Sequence, residues 1–379
     1  MIRKIVILFI LIFFFMMPKT YATDEIISSQ MEALNMSSVI KEGQAYTKEV
    51  FPDININELL NSAIKGKVDN KGILKDILSL FGSEIKSTLS LIGSILVVVL
   101  IHSILKGFSD NLNSKGVSQT AFYVEYILIV TIVMANFSDV ISLIKETIYN
   151  LVGFATSLIP ILLALMVASG NIVSNSFIQP VILFSVVFIS NAITLFILPI
   201  MFIGIAISIV SNLSDKIQID KLSKFLKSGI SWILITVVTI FVSILSLEGT
   251  LTSNIDGITA KGIKSVSNLV PIVGKALGES VDMVAGATSV LKNSIGIVGM
   301  IIIIGICIIP VVKLTLLTLT YYFTCAICEP LADKKIVGLL EQIGGTFKVL
   351  LGIMVFVGVL LIVGIAMCIK ISNTGMMYR

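Results

Sequence analysis

Long apolar runs separated by short polar segments make up most of this 379-residue chain. Runs such as LIGSILVVVLIHSIL and GIVGMIIIIGICIIPVV approach the roughly 18 apolar residues that a transmembrane helix needs. The pattern predicts an all-α, polytopic membrane protein rather than a soluble one. Candidate spans lie at 88–105, 120–140, 151–169, 178–213, 229–247, 295–329 and 346–369.

Two of these runs are too long for one simple crossing. The run 178–213 has Pro199 near its middle, and the run 295–329 has Pro310 in the corresponding place. Because proline removes a backbone donor inside a helix, each run is predicted to be a helical hairpin or a broken helix. Two crossings by 178–213 also keep the Lys-rich segment SDKIQIDKLSKFLKSG cytoplasmic, as the positive-inside rule requires. The expected total is eight or nine spans.

The second half of the chain resembles the first. Aligning SLIPI at 157 with NLVPI at 268, an offset of 111 residues, also brings Pro199 onto Pro310. Candidate repeat halves are then 151–250 and 262–369. Apolar segments also match by chance, so a tandem duplication and a coincidental similarity are both open.

The N-terminus has the layout of a secretory signal. Basic residues precede an apolar stretch, and small residues follow it near a possible cleavage site after Ala22. Residues 1–22 are therefore predicted to be a signal peptide, with an uncleaved first span as the alternative. Residues 23–86 are more polar and are expected to form an extracytoplasmic helical region, and residues 87–379 a polytopic membrane domain.

The segment 271–293 is less apolar than its surroundings and has helical periodicity. One side of the predicted helix carries Lys275, Glu279, Asp282, Gly286, Ser289 and Asn293, whereas Val273, Leu277, Val284 and Leu291 lie opposite. Two interpretations stay open: an interfacial helix, or a re-entrant, pore-lining element. The candidate pore-lining or partner-contact residues are Pro271, Gly274, Lys275, Gly278, Glu279 and Asp282.

Few other residues are candidates for catalysis, metal binding or transport. Ionisable groups within spans are functional candidates by default, and here they are His102, Glu125, Lys313 and Glu329, although groups near span ends also reach the interface or anchor a helix. The pair in CAIC, residues 325–328, is interpreted as helix packing because no second pair accompanies it. With one His, no metalloprotease motif exists, and no catalytic, cofactor or metal site is expected. A net charge of +4 gives no support for nucleic-acid binding.

Two segments resemble one known family. VPIVGKALGESVDMVAGA at 270–287 and CEPLADKKI at 328–336, together with the signal-like start, resemble the stage III sporulation protein AE family of endospore-forming bacteria. The resemblance implies a non-enzymatic subunit of the channel-like or secretion-like complex between mother cell and forespore, in the mother-cell membrane. Implied partners are the ring-forming and ATPase proteins of the same operon and, through them, the forespore-side channel protein. The alternatives are a secondary transporter for a small solute and a purely structural assembly scaffold.

Overall fold

The computed structural model describes residues 24–48, 50–52, 54–67, 79, 82, 85, 88–101, 103–104, 115–213, 219–267 and 273–377. Within the helices, most side chains of 259–281 and 372–377 also lie outside the described set. The predicted signal peptide, His102 and Pro271 fall outside it as well. The described residues contain helices and connecting turns but no strand, so the all-α prediction is confirmed for them.

Short helices come first and long ones follow. The short helices are α1 (Asp24–Ala33), α2 (Met36–Thr47), α3 (Ile56–Ile64) and α4 (Thr88–Ile101). The long ones begin with α5 (Lys115–Ala168), α6 (Ile172–Ala192), a π-helical turn (Ile193–Ile197) and α7 (Leu198–Leu213), and they end with α8 (Asp220–Ser267), α9 (Val273–Cys328) and α10 (Lys334–Met377). In the described part of the chain, five helical stretches are long and apolar enough to cross a membrane: Gln119–Ala168, Ile172–Leu213, Lys221–Leu247, Asp282–Cys328 and Lys334–Ile371.

The predicted hairpins are not observed. α9 runs through Pro310 without a break, and Ile172–Leu213 also forms one continuous helical stretch. A π-helical turn ends at Ile197, two residues before Pro199, whose nitrogen has no hydrogen to donate to the preceding turn of the helix. Proline is tolerated inside membrane helices because neighbouring helices and local adjustments satisfy the freed carbonyl. The expected eight or nine spans are therefore not confirmed.

The turn between α5 and α6 shows why α5 ends where it does. Gly170 has a φ of 82°, a left-handed conformation that glycine adopts without a steric penalty. The Asn171 N–H donates back to the Met166 carbonyl at 2.9 Å, which completes a Schellman-type helix end. The repeat alignment pairs this turn with 280–282, which are helical, so the two halves differ here and the duplication stays a prediction.

α10 forms the centre of the bundle. It packs against α5, α7, α8 and α9, and no large apolar side chain is exposed in its described part, 334–371. An aromatic cluster joins four helices, with Phe137 of α5 close to both Phe202 and Phe347, and Tyr321 stacked on Phe347 at 5.2 Å between ring centroids. In contrast, α6, α7 and α8 expose many large apolar side chains and form the outer side of the bundle.

The N-terminal helices pack on the bundle rather than apart from it. α1, α2 and α3 all contact α9, and α2 also contacts α5. Gly43 of α2 faces Ile302, and Gly305 of α9 faces Thr47 and Phe51. This packing agrees with the sequence, since a region so short and polar cannot form a substantial core alone.

The contact at Gly305 predicts a specific steric effect. A Cβ added there would lie 2.8 Å from the Thr47 Cγ2 atom and 3.0 Å from Phe51, so Gly305→Ala should destabilise the chain by about 1–3 kcal/mol through overpacking. Gly352→Ala is the matched control, because nothing lies within 4 Å of the corresponding Cβ. Thermal unfolding in detergent measures both variants, and equal stability would show that α2 does not press on α9.

Candidate functional site

The segment that the sequence singled out is the first part of a spanning helix. Gly274, Lys275, Gly278 and Glu279 lie in the first turns of α9, with side chains outside the described residues, and Asp282 is exposed. α9 then continues into the span, so residues 273–293 are not a separate helix lying in the membrane plane.

The amphipathic prediction holds poorly beyond Asp282. Val284, expected on the packed side, is exposed, whereas Ser289 and Asn293, expected on the water-facing side, are buried. Every residue from Ala287 to Ile303 is buried, because α10, α5 and the N-terminal helices together surround this part of α9. The polar side chains here therefore face protein.

A layer of buried polar side chains crosses one end of the bundle. Contacts between helices place its members at a similar level. Thr252 of α8 contacts Ser174 of α6. Gly249 of α8 lies against Ile371 of α10, and Ile369 of α10 lies against Gly296 of α9. We call this set the Lys292 layer. Its members are Ser169, Asn171, Ser174, Thr252, Asp256, Thr288, Ser289, Lys292 and Asn293.

Lys292 is the unusual member of this layer. Its side chain is 0% exposed, and among the residues that the structure describes the ammonium Nζ has no hydrogen-bond partner. The described residues likewise provide no donor to the buried Asn293 Oδ1, and Cys368 of α10 lies close enough to Lys292 to interact electrostatically. Since a buried charge is costly unless it is paired, Lys292 is a stronger candidate than any residue the sequence suggested. Lys292 was not a candidate from the sequence because it lies at the edge of an apolar run, where a lysine side chain usually reaches the membrane–water interface.

Asp256 has a structural role in the same layer. Its carboxylate oxygens accept hydrogen bonds from the backbone N–H groups of Val173 at 2.9 Å and Ser174 at 3.0 Å. These are among the N–H groups at the start of α6 that lack intrahelical partners. Asp256 on α8 therefore caps α6 across the bundle, and its negative charge is favoured at a helix N-terminus.

Removing this cap should be measurable. Asp256→Ala leaves two buried N–H groups without acceptors, which we expect to cost about 2–4 kcal/mol of unfolding free energy. Asp256→Asn keeps one acceptor oxygen and should lose about half as much, because an amide cannot accept at both positions. Unfolding in detergent compares the two variants, and an unchanged Asp256→Ala protein would exclude the capping role.

A second polar layer lies at the opposite end of α9. Glu125 of α5 is 3% exposed and close to Cys328 of α9. The Tyr126 hydroxyl donates to the Ile209 carbonyl, and the Lys227 ammonium of α8 donates to the Gln342 carbonyl of α10 at 2.8 Å. We call this set the Glu125 layer. Its members are Glu125, Tyr126, Ser208, Ser223, Lys227, Tyr321, Thr324 and Cys328.

The two layers are too far apart to act as one site. Lys292 and Tyr321 are on the same helix, and at 1.5 Å per residue they are separated by about 43 Å. The buried side chains of α9 from Ile295 to Leu317, which lie between the two layers, are apolar. The separation exceeds the hydrocarbon thickness of about 30 Å, so Lys292 and Glu125 form neither an ion pair nor a proton relay.

The remaining predicted residues lie apart from each other. Lys313, which a hairpin around Pro310 would have placed at its tip, is half-buried within the continuous helix α9, and Glu329 is exposed in the turn between α9 and α10. The four cysteines are free, and Cys325 Sγ contacts the Val337 carbonyl at 3.5 Å, as expected for helix packing. Among the described residues, no group of three or more His, Cys, Asp or Glu side chains could hold a metal ion.

Five long apolar helical stretches, four of them packed around the fifth, α10, with polar groups buried in two separate layers, indicate the class of helical membrane proteins. Residues 54–372 match the family model described as stage III sporulation protein AE, and the chain belongs to this family. A curated relative, Stage III sporulation protein AE of Bacillus subtilis (strain 168), is 27% identical over 307 residues, which cover 81% of this chain and 77% of the relative. No solved structure matches the chain. The resemblance read from the sequence is thus confirmed.

Proposed function

We propose that the chain is a non-enzymatic integral membrane subunit of the channel-like or secretion-like complex that joins mother cell and forespore. Family membership supports a role in sporulation. The observation that supports assembly with other proteins is the exposed apolar surface of α6, α7 and α8.

This apolar surface is longer than a bilayer can cover. It follows the helical stretch Ile172–Leu213, from Ile172 through Phe184 and Phe196 to Val210. A stretch of 42 residues is about 63 Å long, about twice the hydrocarbon thickness. A tilt within the usual range of up to about 40° still leaves the stretch longer than the hydrocarbon layer. Part of this surface therefore fits contact with other proteins, as expected for a subunit of a larger assembly.

The partners proposed for this subunit are the ring-forming and ATPase proteins of the stage III operon and, through them, the forespore-side channel protein. A tagged chain, cross-linked in sporulating cells and purified in detergent, should recover these proteins. An unrelated multi-pass protein with the same tag is the control. Deleting the chromosomal copy should stop late forespore gene expression, and a plasmid copy should restore it. Normal late expression in the deletion strain would overturn the proposal.

A secondary transporter is the second candidate, because a buried lysine inside a span is typical of substrate or coupling-ion sites. That function predicts gradient-dependent solute uptake by vesicles that contain only this chain. The channel-complex function predicts no such uptake without the partner proteins.

A further inference from the structure

One side of the bundle is polar over a considerable length. Asp139, Ser142, Glu146 and Tyr149 of α5 are exposed, and their spacing of three or four residues places them on one stripe of the helix. Lys145, beside this stripe, is exposed as well. The stripe extends over about 15 Å of helix.

The polar surface continues onto neighbouring helices. One turn beyond Tyr149, Gly153 faces the Tyr46 hydroxyl and the Glu42 carboxylate of α2, and that hydroxyl donates to Glu42 Oε1 at 3.3 Å. On α9, Lys313 is half-buried on the same helical stripe as Ile302, which faces Gly43 of α2. The α5 stripe, Lys313 and the outer surface of α2 thus form one polar face.

At the same level, the other side of the bundle is apolar. α5 and the α6–α7 stretch run antiparallel, since Phe137 contacts Phe202 and Tyr126 contacts Ile209. Ser142 is five residues after Phe137 on α5, and Phe196 is six residues before Phe202 on the antiparallel stretch, so Ser142 and Phe196 lie at about the same level. Phe196 is 66% exposed. Phe196 and its neighbour Leu195 therefore point outwards at the level where the polar face carries Asp139, Lys145 and Glu146.

Lipid cannot surround both sides. A charged side chain near the middle of a spanning helix costs about 2.5–3.5 kcal/mol, and such residues almost always face protein or a water-filled cavity. Phe196 lies within about 6 Å of the midpoint of the apolar stretch Ile172–Leu213, so a hydrocarbon layer centred on this stretch includes it, whereas three charges at the same level need water.

We propose that the polar face borders an aqueous passage through the membrane, while α6, α7 and α8 contact lipid at the same depth. This inference rests on the proposed function and identifies which surface of the subunit meets the passage. The residues that line it at this depth are Asp139, Ser142, Lys145 and Glu146, and Tyr149 and Glu42 extend it towards the N-terminal helices.

A level-matched cysteine pair tests the proposal in sporulating cells that contain the whole complex. Ser142→Cys and Phe196→Cys are each treated with a charged, membrane-impermeant thiol reagent and, separately, with a lipophilic maleimide. The parent chain is measured in parallel, because Cys325 is only half-buried. The expected result is at least tenfold faster reaction of Ser142→Cys with the charged reagent, and modification of Phe196→Cys by the lipophilic reagent alone.

The other outcomes overturn the proposal. Reaction of both cysteines with the charged reagent would place this half of the bundle outside the lipid. Failure of both to react with it would mean that protein closes the polar face. In either case, continued co-purification with the operon proteins would leave the proposed function standing, and loss of co-purification from the parent chain would contradict that function separately.

Discussion

Lys292→Met should raise the free energy of unfolding in detergent by about 1–4 kcal/mol, the range seen when apolar side chains replace buried charges. The side chain is fully buried, and its ammonium has no hydrogen-bond partner in the described part of the chain. Methionine has a similar length and flexibility, so it can fill the space without the cost of desolvating a charge. We expect the same variant to lose spore formation, because a costly buried charge is retained where function requires it.

Lys313→Met is the matched control for the stability measurement only, because Lys313 belongs to the polar face described above. Lys313 is only half-buried, so its charge is already solvated and its replacement should change stability by less than about 0.5 kcal/mol. Thermal unfolding of purified chains and spore counts supply the two measurements. A Lys292→Met protein less stable than wild type would mean that the fold already compensates the charge. Normal sporulation would remove Lys292 from the functional site.

Phe196→Asp should abolish accumulation of the chain in the membrane, whereas Ser142→Asp should accumulate normally. Both positions are exposed and lie at the same level, but Phe196 is on the apolar side and Ser142 is on the polar face. An aspartate near the middle of a span costs about 2.5–3.5 kcal/mol against lipid, and little against water. Quantitative immunoblotting of membrane fractions measures the difference.

Phe196→Leu controls for the loss of the aromatic ring and should accumulate like wild type, since lipid solvates both side chains. Equal loss of Phe196→Asp and Ser142→Asp would show that both sides of the bundle are covered by apolar material. Equal tolerance of both variants would show that neither side meets lipid at this level.

The sequence predicted the helices well but not their interruptions. Apolar runs located all five long apolar stretches, because helical length and hydropathy are local properties, but the two predicted spans 120–140 and 151–169 form one continuous helix, α5. The breaks at Pro199 and Pro310 were inferred from a backbone rule for isolated helices. In the fold, Pro310 lies inside a helix packed along α10, and a π-helical turn precedes Pro199, so the packed neighbourhood overrides the local rule.

The candidate site was harder to predict, because burial depends on contacts between distant segments. Helical periodicity placed Ser289 and Asn293 on a water-facing side, but α10 and the N-terminal helices enclose that part of α9. Asp256 seemed ordinary in the sequence, since the α6 backbone that it caps is more than eighty residues earlier. A single lysine in a run of apolar and small residues, as in VLKNSIGIVG, was the one available signal for Lys292.

The unbroken course of α9 also has a mechanical consequence. A helix of 56 residues is a rod about 84 Å long, and its hydrogen bonds make it stiff along nearly all of that length. Pro310 removes one of those bonds about two-thirds of the way along the helix, so we expect α9 to bend most easily at that turn. The N-terminal helices contact α9 before Pro310, and the residues of α9 in the Glu125 layer lie after Pro310. A bend at Pro310 would tilt the part of α9 that contacts the N-terminal helices relative to the part in the Glu125 layer.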